Sequence, residues 1–156
     1  MASLIIVKNP YDTPNALCNV VKYVINYQKT NGFIGAIGVS LLDPINCMLA
    51  VKEYYKSTGK AVEHIVLSFS PNECITTLDA FDIGYKVCEL FPEYQSVFGV
   101  HKDTKHLHLH IAINTTNVTN GHKLCFGFQE SFKFRKDIGT LLEPYGITCD
   151  LRMNSI

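Results

Sequence analysis

Four of the six histidines of this 156-residue chain fall within one stretch, VFGVHKDTKHLHLHIAIN. Side chains alternate along a strand, so His106, His108 and His110 share one face while Leu107, Leu109 and Ile111 take the other. If the hairpin turns about Thr104 and Lys105, His101 lies opposite His108 on the neighbouring strand, and His101, His108 and His110 converge. Three neutral imidazole nitrogens on rigid strands, with other coordination positions left open, make a catalytic metal site and not a closed structural one. Asp103, in the turn, is placed to orient one of the rings from behind. A single strand histidine is usually no more than a hydrogen-bonded polar side chain. Packing does not ask for three on one face, since they are polar and repel one another when protonated together. His106, at the start of the strand, reads as the solvated member.

The elements that must carry these side chains follow from periodicity and punctuation. Residues Ser3 to Val7 read as a short buried strand. Thr13-Pro14 is an N-cap with proline in the first helical position, opening a helix to about Tyr27 whose stripe is Leu17, Val20, Val21 and Val24. On that helix Tyr23 and Tyr27 share a face at i, i+4 spacing. Gln28 to Gly38 reads as a loop with a strand at its end, and Asp43-Pro44 caps a second helix to about Ser57. AVEHIVLSFS, residues 61–70, is a strand with Val62, His64, Val66 and Ser68 on one face. Thr76 or Thr77 caps a third helix to about Phe91, before Pro92. Ser96 to His101 and Leu107 to Asn114 form the histidine hairpin, Glu130 to Leu142 a last helix, and Ile147 to Leu151 an edge strand. Strands interleaved with helices but closing on a hairpin predict an α+β fold, an antiparallel central sheet flanked by helices in a two-layer or three-layer sandwich. One domain over residues 1–156 is expected, either stand-alone or the first domain of a longer protein.

Composition narrows the function classes. An apolar fraction of 47% and a charged fraction of 18% describe a globular chain. Fourteen basic against fourteen acidic residues give zero net charge, which argues against a tight non-specific duplex binder. The charge is uneven: residues 61–100 hold Lys86 against six acidic side chains, so the third helix reads as a solvated acidic face turned away from any anionic substrate. MASLIIVKNPYDTP has too short an apolar stretch and no cationic start for a secretory signal, and no apolar run could span a bilayer. The expectation is a cytoplasmic chain without membrane insertion. No two of the six cysteines stand in a CxxC, so buried free thiols are expected in place of a zinc ribbon or redox pair.

Two families share a strand of this kind. The literal pattern HLHLHIA fits the histidine-triad nucleotide hydrolases, in which the middle histidine attacks a nucleoside phosphate without metal. A His-apolar-His pair that binds a divalent ion is the mark of the HUH endonucleases. The surrounding residues resemble the second, and within it the conjugative relaxases of the MOBP type. Their third motif is matched by His101, Asp103, His108, His110 and Asn114. VVKYVINYQKT resembles their first motif, a tyrosine in a Lys-Tyr-aliphatic context followed by Lys-Thr, and EHIVLSF resembles the second, a strand carrying His64 and ending in Ser68-Phe69. The three motifs stand in the relaxase order over nearly the whole chain.

The resemblance implies a DNA relaxase that nicks single-stranded DNA at a transfer origin and starts conjugative transfer of a plasmid or mobile element. Tyr23 would be the nucleophile leaving a 5′-phosphotyrosine link, with Tyr27 as the alternative. His101, His108 and His110 would hold a divalent metal ion, Mg²⁺ or Mn²⁺ in this family, with Asp103 assisting. Lys29, Thr30, Ser68, Lys133 and Arg135 would contact DNA, and accessory relaxosome proteins would be partners. Phe126, Phe128, Phe132 and Phe134, interleaved with those last cations, read mainly as core. A catalytically silent DNA-binding module of a mobile element is the third reading beside the relaxase and the triad hydrolase.

Overall fold

The computed structural model describes residues 1–150 and residue 152. Its centre is an open six-stranded sheet built from β1 (Ala2–Ile6), β2 (Ile34–Ile37), β3 (Val62–Phe69), β4 (Ser96–His101), β5 (Leu107–Asn114) and β6 (Cys149–Asp150). The strands lie in the order β2-β4-β5-β3-β1-β6, antiparallel throughout except for the parallel edge pair of β1 and β6. The period-2 pattern of the strands divides two cores. Ile65, Leu67, Phe98, Val100, Leu109, Ile111 and Ile113 pack against α4 (Thr77–Cys88) and α5 (Phe128–Leu142). Val62, Val97 and Ala112 face α1 (Pro14–Val24) and α3 (Pro44–Tyr55) on the opposite side. The α+β sandwich is therefore three-layered. The histidines of β5, out of phase with Leu109 and Ile111, lie on the α1 side.

Local chemistry sets the helix starts. The Thr13 hydroxyl accepts from the Ala16 amide at 3.1 Å, and Pro14 removes an amide that no carbonyl would have met. Thr76, not Thr77, caps α4, in a reciprocal box with Asp79. Several ends differ from the sequence reading: α3 stops at Tyr55, α4 at Cys88, and α5 begins at Phe128. Leu151, the expected end of the edge strand, lies outside the described residues. All six cysteines are free, but only Cys88 is buried; Cys74 and Cys125 are exposed, since their segments run over the surface.

The largest correction concerns α1. It ends at Val24, and Asn26 caps a separate one-turn helix, α2 (Tyr27–Thr30), within the stretch expected to be loop. The Asn26 side chain accepts from the Gln28 amide at 2.9 Å, a local bond that competes with continuation of the helix. Tyr23 and Tyr27 consequently sit on different helices and share no face.

The end of α1 comes unusually close to the sheet. A Cβ added to Gly99 on β4 would collide with the Val24 carbonyl oxygen, a backbone atom that cannot swing aside. Gly99→Ala is expected to lower the unfolding free energy by about 1–3 kcal/mol through overpacking. The check is urea denaturation against an alanine substitution at an exposed position; a Gly99→Ala midpoint equal to wild type would show that α1 is free to lift.

Candidate active site

The hairpin register follows the sequence reading: His101 on β4 is the Cα partner of His108, and Gly99 is the partner of His110. His101, His110 and His64 are buried, His108 is half-buried, and His106 lies in the exposed turn before β5. The rings of His101 and His110 stack at 4.1 Å between centroids, with His108 at 6.0 Å and His64 at 5.3 Å from His110. Tyr23 covers this group from the end of α1, its ring 5.1 Å from His101, 5.2 Å from His110 and 6.2 Å from His64. It is 42% exposed and open to solvent on one side, whereas Tyr27 is 71% exposed and not among the rings around the histidines.

Hydrogen bonds assign protons to two of the rings. His101 Nε2 lies 2.9 Å from the Val24 carbonyl, which can only accept, so that nitrogen carries the hydrogen and Nδ1 keeps a lone pair. Thr104 gives its single proton to the His106 carbonyl at 2.9 Å. Its oxygen therefore accepts from His108 Nδ1 at 3.2 Å, leaving Nε2 of His108 as the lone-pair nitrogen. His110 Nδ1 is 3.1 Å from His64 Nε2. Burial keeps the group neutral. It pushes His110 down to about 3 and His64 to about 4, with neighbouring imidazoles adding to both, and it lowers His101 and His108 as well.

Asp103 does not touch an imidazole. Its carboxylate holds Lys29 at 2.7 Å, since the turn carries it towards α2 and away from the rings. The Lys29 ammonium is thereby fixed 5.4 Å from the centre of the Tyr23 ring. Asp103 raises the affinity of Lys29 for its proton, and Lys29 holds the Asp103 carboxyl below the usual carboxylate range. Ser68 is the Cα partner of His108 on β3, half-buried on the same side of the sheet.

The other expected DNA contacts are placed elsewhere. Thr30 is buried, and its hydroxyl bonds the Asn26 carbonyl at 3.0 Å. Arg135 is buried on the α5 side of the sheet, where Nη1 donates to the Leu4 carbonyl at 2.9 Å. Lys133 is on the same helix, exposed and paired with Asp137. Both α5 residues therefore lie across the sheet from Tyr23. Asn114, matched to the end of the third motif, is buried at the opposite end of β5, with its amide on Met48 O and Gln95 Oε1. The reading of residues alone missed the His64–His110 contact. Its signal was present in β3, where alternation sets His64 on the face of Ser68, but the strand order was needed to bring it to His110.

Among the described residues no group of three or more His, Cys, Asp or Glu side chains stands at metal-holding spacing as placed. The donor chemistry nonetheless fits a divalent ion. His101 and His108 are neutral imidazoles whose second nitrogens are tied back to a carbonyl and a hydroxyl, the usual outer partners of ligating histidines.

Comparison with known proteins follows the same line. The family model described as "Relaxase: MobA/VirD2-like, nuclease domain" matches residues 23–147. A Staphylococcus aureus protein named Protein rlx is 28% identical over 104 residues, 66% of this chain and 32% of that protein. A second Protein rlx of the same species is 36% identical over 76 residues, 47% of this chain and 23% of its own length. The group II intron-interrupted relaxase LtrB of Lactococcus lactis subsp. cremoris is 33% identical over 73 residues, 46% of this chain and 13% of that protein. The chain thus spans about a third or less of the curated relatives it matches. No solved structure matches it.

The buried neutral histidines predict an acid-sensitive fold. The unfolded chain protonates its histidines near pH 6.5, while His64 and His110 stay neutral in the fold to about 4 and about 3. The unfolded state binds more protons in that window, so stability is complete above about pH 6.5 and falls as pH drops through it. Urea unfolding in EDTA is expected to show a loss on the order of 2 kcal/mol or more between pH 7.5 and pH 5, before most carboxylates titrate. A constant unfolding free energy over that interval would mean that the rings are not held neutral.

Proposed function

The chain belongs to the MobA/VirD2-like relaxase nuclease family, and we propose that it cuts single-stranded DNA at a transfer origin, with Tyr23 as the nucleophile. Family membership decides between the two families that share the histidine strand, in favour of the relaxases. The observation that carries the assignment of Tyr23 is its ring seated over His101 and His110, at 5.1 and 5.2 Å, with the other edge open to solvent.

In the proposed step Tyr23 Oη attacks the scissile phosphorus. The Oη–P bond forms and the bond from phosphorus to the 3′ oxygen breaks. The phenolic proton passes to solvent, the departing 3′ oxygen takes one up, and the 5′ phosphate remains on Tyr23. The link conserves the energy of the phosphodiester, so a later attack by a 3′-hydroxyl can rejoin the strand. A phenol ionises near pH 10 and is a poor nucleophile until positive charge stabilises its anion. Lys29, held by Asp103 beside the ring, supplies fixed positive charge there for the phenolate and the incoming phosphate. Asp103 in this reading positions Lys29, not an imidazole.

His101, His108 and His110 would hold a divalent cation, Mg²⁺ or Mn²⁺ by family resemblance, which when bound neutralises a non-bridging phosphate oxygen. Ser68, beside His108, would contact the strand through its hydroxyl. Thr30 and Arg135, being buried, support α2 and β1, and Lys133 would meet only DNA that reaches the far face of the sheet. Accessory proteins at the transfer origin and a cytoplasmic setting belong to the same proposal. No described helix is long and apolar enough to cross a membrane.

The test is covalent capture on a degenerate single-stranded DNA library with Mn²⁺, read as a denaturant-resistant protein–DNA adduct. Wild type and Tyr27→Phe should form it, while Tyr23→Phe, His108→Ala and wild type in EDTA should fall at least about a hundredfold, the range seen when an essential group is removed. An adduct that survives Tyr23→Phe would move the nucleophile elsewhere. No adduct with wild type would leave a silent DNA-binding module. In the same assay Lys29→Ala should slow adduct formation about tenfold or more, as loss of one charge-stabilising group does, with the thermal midpoint unchanged.

A further inference from the structure

One buried histidine has no part in the steps above. His64 on β3 is 8% exposed, and its Nε2 lies 3.1 Å from Nδ1 of His110. The Cα partner of His110 on β3 is Val66, so His64 reaches it diagonally, two residues along the strand and on the same face. The rings of Tyr11 and Tyr23 flank His64 at 6.5 and 6.2 Å.

In a pair of neutral imidazoles one ring donates and the other accepts. If His64 donated, the hydrogen of His110 would sit on Nε2, and His110 would have no lone pair left for a cation. If His110 donates from Nδ1, its Nε2 lone pair is free on the side of the ring away from His64. The corresponding choice at the two neighbouring rings is forced by their partners: the Val24 carbonyl fixes His101, and the Thr104 hydroxyl fixes His108. We infer that His64 is the positioning residue of His110, accepting its Nδ1–H at the β3–β5 contact and so holding Nε2 bare and aimed at the site. This rests on the metal-dependent reading above. With it, all three imidazoles have an outer partner, from the end of a helix, from the hairpin turn and from the neighbouring strand.

The experiment uses the metal-free 156-residue protein and two variants, His64→Leu and His64→Gln. Leucine fills the space but cannot accept, whereas the glutamine carbonyl can. Long-range ¹H–¹⁵N correlation spectra report which ring nitrogen of each histidine is protonated. Mn²⁺ titration by calorimetry reports affinity without any turnover. The expected result is His110 protonated on Nδ1 in wild type and mixed between tautomers in His64→Leu. Mn²⁺ affinity should be about 10–100-fold weaker in His64→Leu, the usual cost of losing an outer partner, and largely restored in His64→Gln. His110 protonated on Nε2 in wild type, or equal Mn²⁺ affinity in wild type and His64→Leu, would overturn the inference. Should His64→Leu fail to fold by circular dichroism, the wild-type tautomer and the affinity of His64→Gln decide it. A wild type that takes up no Mn²⁺ while His110 is protonated on Nδ1 would overturn the metal-dependent reading, and with it the purpose assigned to His64. That outcome is distinct from one in which Mn²⁺ binds and His64 is irrelevant.

Discussion

The contact between the last turn of α1 and β4 is the constraint on which the rest of the site depends. The carbonyls in the last turn of a helix have no partner within it. Val24 offers one such oxygen to the sheet, where His101 Nε2 donates to it at 2.9 Å. The approach is possible only because Gly99, two residues before His101, has no side chain to meet that same oxygen. One atom therefore ties the end of the helix to the sheet, selects the tautomer of His101 and sets the height of α1 above the strand. Tyr23 immediately precedes it, so the phenol is located by the bond that orients one of the rings beneath. The buried stripe of Leu17, Val20, Val21 and Val24 sets the rotation of the helix about its axis. A docked helix end places a side chain more reproducibly than a loop would.

The position of β5 is as important as that of α1, because a slip of one residue would carry His108 and His110 to the α4 side and bring Leu109 out. The strand is fixed at both ends by different means. At the histidine end it is held by pairing with β4 and by Thr104 on His108. At the other end Asn114 is buried and fully engaged: its amide donates to Met48 O and Gln95 Oε1, and its oxygen accepts from the Thr116 amide. Moving the strand would leave these groups unpaired in the interior, at a cost of about 1–3 kcal/mol each. Asn114 is thus tied to the site through register, although it lies far from the phenol.

Alternation alone made the histidine face legible in the sequence, and the hairpin rule placed His101 opposite His108, where it stands. The alternation of strand and helix signals with a closing hairpin was enough for an α+β sandwich, because caps such as Thr13-Pro14 and Asp43-Pro44 are local chemistry. What failed depended on one bond or on distant pairing. The end of α1 was misplaced because Leu17 to Val24 continues smoothly into Ile25, and only the Asn26 side chain restarts the chain as α2. Asp103 was assigned to an imidazole because the two are near in sequence, yet its partner Lys29 is 74 residues away. Arg135 looked like a surface cation within a run of basic and aromatic residues, and helix phase turned it inward to Leu4. His64 stood on the correct face, but only the order β5-β3 gives that face a neighbour.

The partners of the imidazoles also decide the electrostatics of the site. A carbonyl, a hydroxyl and another imidazole surround His101, His108 and His110, and none of them carries a full charge. The nearby carboxylate, Asp103, is neutralised by Lys29. A cation held by these rings would keep most of its charge for whatever else approaches, in contrast to a site closed by thiolates or carboxylates. Zero net charge on the whole chain denies it a strong long-range field. The imidazoles are neutral and Lys29 is paired with Asp103, so attraction for an anion at the phenol would come mainly from a cation held by the rings. The acidic side chains of α4 lie behind the sheet, on the other face, so they do not oppose it. Under the proposed function, such a distribution would favour local recognition of a phosphodiester at the phenol over general adhesion to nucleic acid.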